Sequence, residues 1–303
     1  MLASALRAAR RAAPLRGASS RGFADLSGKT YLVTGSTDGI GLTTATLLAS
    51  HNATVLVHGR KKSRVQRAAD QIRGHSGRNN VIEYTYDLSS LEEVRELAAN
   101  VKEDLPKIGG KITGLVNNAG AVNLGREETK DGLELTWAVN VASHFLLTAE
   151  LLPHVSERVL NVTSISQSDD LDFAAIRSQF SPYLRNGLDA YGQAKLAMSA
   201  WTVELAERLK AAGSPVVSLA VEPGTVHTKL LSEGWGSVPA FVGVDANETT
   251  DEYLAAVDAR LLQQGGFVVG KRLRAFPEVC YHPEKRAELW NELVKQTGAQ
   301  YPF

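Results

Sequence analysis

Seven short apolar runs punctuate the chain, at residues 31–34, 54–58, 81–86, 112–117, 158–163, 216–221 and 266–269. Each has the length of a strand, is rich in Val, Ile and Leu, and is bounded by polar or glycine-containing turns. Between them lie segments with helical patterning, at residues 42–50, 91–103, 132–152, 191–212 and 251–263. Strand and helix in alternation predict right-handed crossovers and a doubly wound parallel α/β sheet of about seven strands. A ligand then binds beyond the carboxyl ends of the strands, where strand order reverses. No repeat, low-complexity stretch or linker interrupts residues 24–303, which are read as a single domain.

The first 24 residues differ in kind. They hold Arg7, Arg10, Arg11, Arg16 and Arg21, many Ala and Ser, and no acidic residue. On a helical wheel Leu2, Leu6, Ala9 and Ala13 gather opposite Arg7, Arg10 and Arg11. This is the composition of an organellar transit peptide over residues 1–23, and a secretory signal would need a continuous apolar stretch. Arg21-Gly22-Phe23 before Ala24 resembles a mitochondrial processing site, so the matrix is the expected destination, with plastid or cytoplasm as alternatives. Without those five arginines, 28 basic residues face 33 acidic ones. That mild acidity argues against nucleic acid or an anionic membrane as partner. The one cysteine, Cys280, excludes a disulfide framework, and seven scattered histidines offer no metal spacing. No transmembrane segment is expected, since no apolar run reaches about 18 residues.

Two motifs carry chemistry. Thr34-Gly35-Ser36-Thr37-Asp38-Gly39-Ile40-Gly41 follows the first apolar run and precedes a helix. In that context Gly35 permits a sharp turn, Gly39 lets a phosphate approach the backbone, and Gly41 allows close helix packing. The helix N-terminus offers free N–H groups to a pyrophosphate. Further on, Tyr191-Gly-Gln-Ala-Lys195 sets a phenol and an ammonium one helical turn apart on one face. A nearby positive charge favours the phenolate, so Lys195 is expected to lower the tyrosine pKa from its usual ~10.

Together these motifs resemble the classical short-chain dehydrogenase/reductase family, and the match continues in order along residues 28–275. Asn117-Asn118-Ala119-Gly120 matches its NNAG element, Asn140 its helix asparagine and Ser164 its serine. Tyr191 and Lys195 match its YxxxK, and Pro223-Gly224-Thr225-Val226-His227-Thr228 its proline–glycine turn. The longer spacing between Ser164 and Tyr191 is similar to that of retinol-dehydrogenase-like members. The resemblance implies a Rossmann-type fold and a nicotinamide dinucleotide bound by residues 35–41, Asp87, Leu88, Asn118, Ala119, Gly120, Tyr191, Lys195, Pro223, Gly224, Val226 and Thr228. Asp87 serves equally as a cap for the helix that starts near Leu91. NAD-preferring members carry an acidic residue after the second strand, where this chain has Gly59 followed by Arg60 and Lys61. A guanidinium can grip a 2′-phosphate, so NADP(H) is favoured over NAD(H), although Asp38 stands where many NADP-binding relatives have a basic residue.

The implied reaction is hydride transfer between nicotinamide and a carbonyl or alcohol substrate. Ser164 holds the oxygen, Tyr191 exchanges the proton, Lys195 binds the nicotinamide ribose, Asn140 fixes a relay water and Thr228 orients the ring. Two segments, residues 166–190 and 229–243, are expected near the substrate. Phe173, Phe180 and Tyr183 in the first, and Leu230, Leu231, Trp235, Val238 and Phe241 in the second, suit a lipophilic substrate such as a retinoid, steroid, fatty aldehyde or quinone. Both stretches equally suit a core cover or a subunit interface. Relatives pair through helices corresponding to residues 132–152 and 191–212, which implies a homodimer or homotetramer. A low-turnover NADP(H)-binding scaffold or redox sensor is the alternative function.

Overall fold

The computed structural model describes residues 25–183, 187–236 and 243–303, so the leader lies outside the described residues. An apolar strand that faces helices on both sides hides every residue, and β1 (Thr30–Val33) does so. It feeds α1 (Gly39–Ser50), β2 (Thr54–Gly59), α2 (Lys62–Ser76), β3 (Val81–Thr85), α3 (Leu91–Asp104) and β4 (Ile112–Asn117). The second half continues with α4 (Leu135–His154), β5 (Val155–Val162), α5 (Phe173–Arg177), α6 (Leu188–Ala211) and β6 (Val217–Glu222). Short β7 (Val226–His227), α7 (Lys229–Trp235) and β8 (Val244–Asp245) precede α8 (Asp251–Val257), β9 (Gly266–Val269), β10 (Arg272–Arg274) and α9 (Pro283–Thr297).

The main sheet runs β3-β2-β1-β4-β5-β6-β9-β10. Its first seven strands are parallel and are the seven read from the sequence. β10 adds an antiparallel edge with Arg272 and Arg274 exposed. At the other edge Arg73 of α2 pairs with Glu83 of β3 at 2.9 Å and donates to the Val81 carbonyl at 3.0 Å. Strand order reverses between β1 and β4, which opens a crevice at their carboxyl ends. One core packs α3, α4, α6 and α9 on one face of the sheet, and a second packs α1, α2 and α8 on the other.

The helix expected over 251–263 stops at Val257. Asp258 there accepts the Arg260 N–H at 2.9 Å and grips its guanidinium, and so replaces helix bonds with local side-chain ones. Helix α4 contains a π turn at Ala138–Ala142, with Asn140 at its centre. By length and composition α4 suits a membrane span, but 83% of that window is buried inside the protein, as befits a core helix.

Helix α6 is buried on every residue from 190 to 206, so it is covered on all sides. Its outer face, and that of α4, is taken by α9 and the residues after it. Phe145 packs edge-on against Trp201 at 5.6 Å and Trp290 at 4.9 Å, and Tyr301 donates to the Phe145 carbonyl at 2.9 Å. Arg286 pairs with Glu204 at 3.1 Å, and Arg208 lies 4.2 Å over the Trp290 ring. The face expected to pair subunits is thus filled within one chain.

In the first variable segment, Phe180 is buried against Trp137 at 5.8 Å. Tyr183 donates to Glu134 at 2.6 Å, and Phe173 packs on the same core beneath Arg177. These aromatics cover the core and do not line the cleft described below. Trp290→Ala is expected to cost roughly 3–5 kcal/mol through the cavity it opens, read as a lower urea midpoint at unchanged slope.

Candidate active site

The crevice between β1 and β4 is held by one hydroxyl. Thr34 Oγ1 accepts the Asn118 and Ala119 N–H groups, each at 2.9 Å, and Asn118 Nδ2 donates back to the Thr34 carbonyl at 2.6 Å. This draws the two turns so close that side chains are excluded. A Cβ on Gly35 (φ +65°) would lie 2.8 Å from Ala119 Cα, and one on Gly41 would collide with the Asn118 amide. Asp38 caps α1 by accepting the Gly39 N–H at 2.9 Å, leaving the first turn of the helix aimed into the crevice.

Two buried histidines brace this frame. His58 Nδ1 accepts the Gly35 N–H at 3.2 Å, and Nε2 donates to the Tyr86 carbonyl at 3.1 Å. Burial drives its pKa down to about 4, so the ring is neutral. His144 donates from Nδ1 to the Asn140 carbonyl at 3.1 Å, and its Nε2 meets Thr34 Oγ1 at 3.0 Å. It is pushed down to about 3, again by burial. Ser36 accepts the His58 N–H at 2.9 Å and is fully buried. Expected among the cofactor contacts, its hydroxyl instead faces the interior and joins the turn to β2.

The remaining groups converge on one cleft of ≈ 560 Å³. Gly35, Thr37, Asp38, Gly39, Ile40 and Gly41 form one wall, and Arg60, Asp87 and Leu88 the end beside β2. Asn118, Ala119, Gly120, Ser164, Tyr191, Lys195, Pro223, Gly224, Val226 and Thr228 complete the lining. Asp87 also accepts the Ser89 N–H at 2.9 Å, whereas the cap of α3 is Ser90. Thr228 caps α7 at 3.3 Å. Lys61 lies outside the cleft, at the exposed start of α2. In its place Arg64 lines the wall and pairs with Asp38 at 3.2 Å. Arg64 lies in the first turn of α2, which starts just after Arg60. Ile165, Leu135 and Val139 also line the cleft without a polar motif to mark them. Val238 and Phe241 lie outside the described residues.

Asn140 Nδ2 donates to the Ala121 and Thr136 carbonyls, both at 2.7 Å. Its Oδ1 is buried without a partner, 3.1 Å from where a Cβ on Gly120 would stand. Lys195 Nζ donates to the Val162 carbonyl at 2.8 Å and sits 5.7 Å from the Tyr191 ring centre. Burial lowers the Lys195 pKa to about 8, with Glu252 opposing. The Tyr191 phenol is raised, not lowered: desolvation outweighs a hydrogen bond with Ser164, and Glu222 adds to the rise. The expected lowering is absent because desolvation of the buried phenol outweighs the groups that favour the phenolate. Glu252, buried in α8, is pushed up to about 8 by desolvation, with Thr44 and Lys195 acting against it. Among the described residues no cluster suits a metal ion.

A crevice at the switch point of a doubly wound sheet, with a glycine turn on one side and Ser, Tyr and Lys on the other, defines a dinucleotide-dependent oxidoreductase site. The short chain dehydrogenase family model matches residues 29–235, and the chain belongs to that family. It is 30% identical to retinol dehydrogenase 13 of Homo sapiens, across 92% of this chain and 87% of that protein. It is 34% identical to polyprenol dehydrogenase of Mus musculus, across 90% and 84%. Among solved structures, an uncharacterized protein from Mycobacterium paratuberculosis superposes with TM-score 0.77 at 27% identity, across 92% and 97%. A short chain dehydrogenase from Escherichia coli CFT073, complexed with NADPH, shares the fold with TM-score 0.64 at 22% identity, across 82% and 99%.

His58 gives the frame an acid limit. Its folded pKa lies below that of the unfolded chain, so its contribution is full above about pH 6.5 and is lost as pH falls toward 4. The stability gap between wild type and His58→Gln should therefore shrink by on the order of 3 kcal/mol across that window, measured by urea unfolding.

Proposed function

We propose that the chain is an NADP(H)-dependent oxidoreductase that interconverts a carbonyl and an alcohol on a lipophilic molecule, with Tyr191 as proton donor and acceptor. The observation that carries this is the convergence of Ser164, Tyr191 and Lys195 on the same cleft as the glycine turn. The residues present suit a dinucleotide: the crevice admits backbone but no Cβ at Gly35, and the start of α1 faces it. The bound dinucleotide supplies or accepts the hydride.

The chain's own groups do the rest. Ser164 holds the substrate oxygen, and its bond with Tyr191 aims the phenol at the same atom. Burial keeps that phenol protonated, ready to neutralise an oxygen on which charge develops. Lys195 contributes a cation beneath the phenol. Asn140 Oδ1 and Lys195 Nζ both border Gly120, which favours a water there that passes protons onward.

Preference for NADP(H) rests on Arg60 beside a carboxylate-free Gly59, with Arg64 as a second guanidinium partly committed to Asp38. Trp235 stands edge-on to the Tyr191 ring at 5.5 Å, and Ile165 is 69% exposed at the same mouth. With Leu230 and Leu231 they favour an apolar substrate, such as a retinoid, polyprenol, steroid, fatty aldehyde or quinone. The names of the two dehydrogenase relatives point to alcohols of that kind. The arginine-rich start supports delivery to the mitochondrial matrix. For assembly, we propose that α9 takes the place of a partner on α4 and α6. Light scattering should then give a monomer, and a stable dimer or tetramer would contradict this.

NADPH oxidation against a panel of such carbonyls is the direct test. Tyr191→Phe should lower turnover by at least ~100-fold. Arg60→Ala should reduce the preference for NADPH over NADH by about 10–100-fold, the worth of a charge-assisted hydrogen bond. Tight NADPH binding without reduction of any carbonyl would favour the scaffold or redox-sensor reading.

A further inference from the structure

Asp38 stands in the glycine turn as the N-cap of α1, and its two carboxylate oxygens do different things. Oδ1 accepts the Gly39 N–H at 2.9 Å, the bond that caps the helix. Oδ2 accepts from Arg64 Nη2, in the first turn of α2, at 3.2 Å. Capping needs an oxygen but no charge, since Asn and Ser cap as well as Asp. The charge is left to act on Arg64. Arg60, Lys61, Lys62 and Arg64 crowd the start of α2, whose first turn holds no acidic residue and whose end no side chain caps. Cations are disfavoured at the positive end of a helix, so the fold alone gains nothing from them.

Asp38, Arg60 and Arg64 all line the cleft, with Gly59 at the end of β2. A side chain at position 59 would collide with Thr37, its Cβ lying 2.5 Å from Thr37 Cγ2. Of the carboxylates that line the cleft, Asp87 accepts from Ser89 and Glu233 pairs with Lys229 at 3.0 Å. Among the described residues only Asp38 of these three meets an arginine, and Arg60 makes no ion pair. The Asp38–Arg64 bond is single, and its side chains are 58% and 40% exposed, which makes it weak. A phosphate monoester carries nearly twice the charge and can bond a guanidinium through two oxygens. We propose that Asp38 is a specificity-determining residue: it holds Arg64 and yields it to a 2′-phosphate, so carboxylate and phosphate compete for one guanidinium. Asp38 thereby moderates the grip on NADP(H). This rests on the proposed preference for NADP(H) and deepens it.

Binding calorimetry with two unreactive probes reads this without turnover. Adenosine 2′,5′-bisphosphate carries the 2′-phosphate, and 5′-AMP lacks it. The ratio of their affinities cancels any effect of a variant on the shared adenosine 5′-phosphate. Asp38→Asn keeps a capping oxygen and removes the charge. It should raise that ratio by about five-fold, the upper range for an exposed ion pair. Asp38→Ser, a second uncharged cap, should do the same. Arg64→Ala should lower the ratio, and Asp38→Asn added to Arg64→Ala should bring no further rise. A ratio unchanged or lowered in both Asp38 variants overturns the proposal. So does a rise that persists in full without Arg64, since Asp38 would then repel the phosphate directly. A wild-type ratio near one would remove the NADP(H) preference instead, and the Asp38 variants would still show whether the carboxylate withholds Arg64.

Discussion

The site depends on the Thr34 hydroxyl, which sits where strand order reverses. Its two accepted bonds hold the Asn118–Ala119 turn against the glycine turn, and its own proton is available to His144 Nε2. Because His144 Nδ1 faces the Asn140 carbonyl, that nitrogen carries the ring proton and Nε2 must accept. A single line of hydrogen bonds thus runs from the end of β1 to the backbone of Asn140 in the π turn of α4. The glycine turn and helix α4 are positioned by the same atoms, so distortion at one is felt at the other.

Around this node burial overrides local charge. Lys195, His58 and His144 are all driven toward their neutral forms, while Tyr191 and Glu252 are driven toward their protonated ones. Each group avoids charge that the interior would have to solvate. Under the proposed function, charge appears at defined atoms during the reaction, with Ser164 and the phenol already in place to meet it. A pre-ionised site would instead have to be reorganised.

The sheet was legible because its central parallel strands are covered on both faces and so read as apolar runs between helical segments. The glycine turn was legible from its place between an apolar strand and a helix, and Asn118, Ser164, Tyr191 and Lys195 from the family resemblance; all of them line one cleft. Ser36 and Lys61 were misplaced because a motif gives positions along the chain but not the direction of each side chain. Helix α9 was passed over, although Arg286, Leu289, Trp290 and Leu293 follow helical spacing, because its other residues are strongly polar. Phe173, Phe180 and Tyr183 could not be assigned from sequence, since aromatic side chains serve a core as well as a pocket. The rise in the Tyr191 pKa was hidden for a similar reason: spacing shows the cation nearby but not the depth of burial.

The borders of the main sheet carry a consequence of another kind. An open parallel sheet ends in unpaired backbone groups that invite a further strand from any passing chain. At one border β10 reverses direction, runs for three residues and presents two arginines outward. At the other, Arg73 covers the Val81 carbonyl while paired with Glu83. Each edge is thus charged where an incoming strand would dock. A fold with a highly apolar interior is in this way protected against edge-to-edge aggregation when it is concentrated.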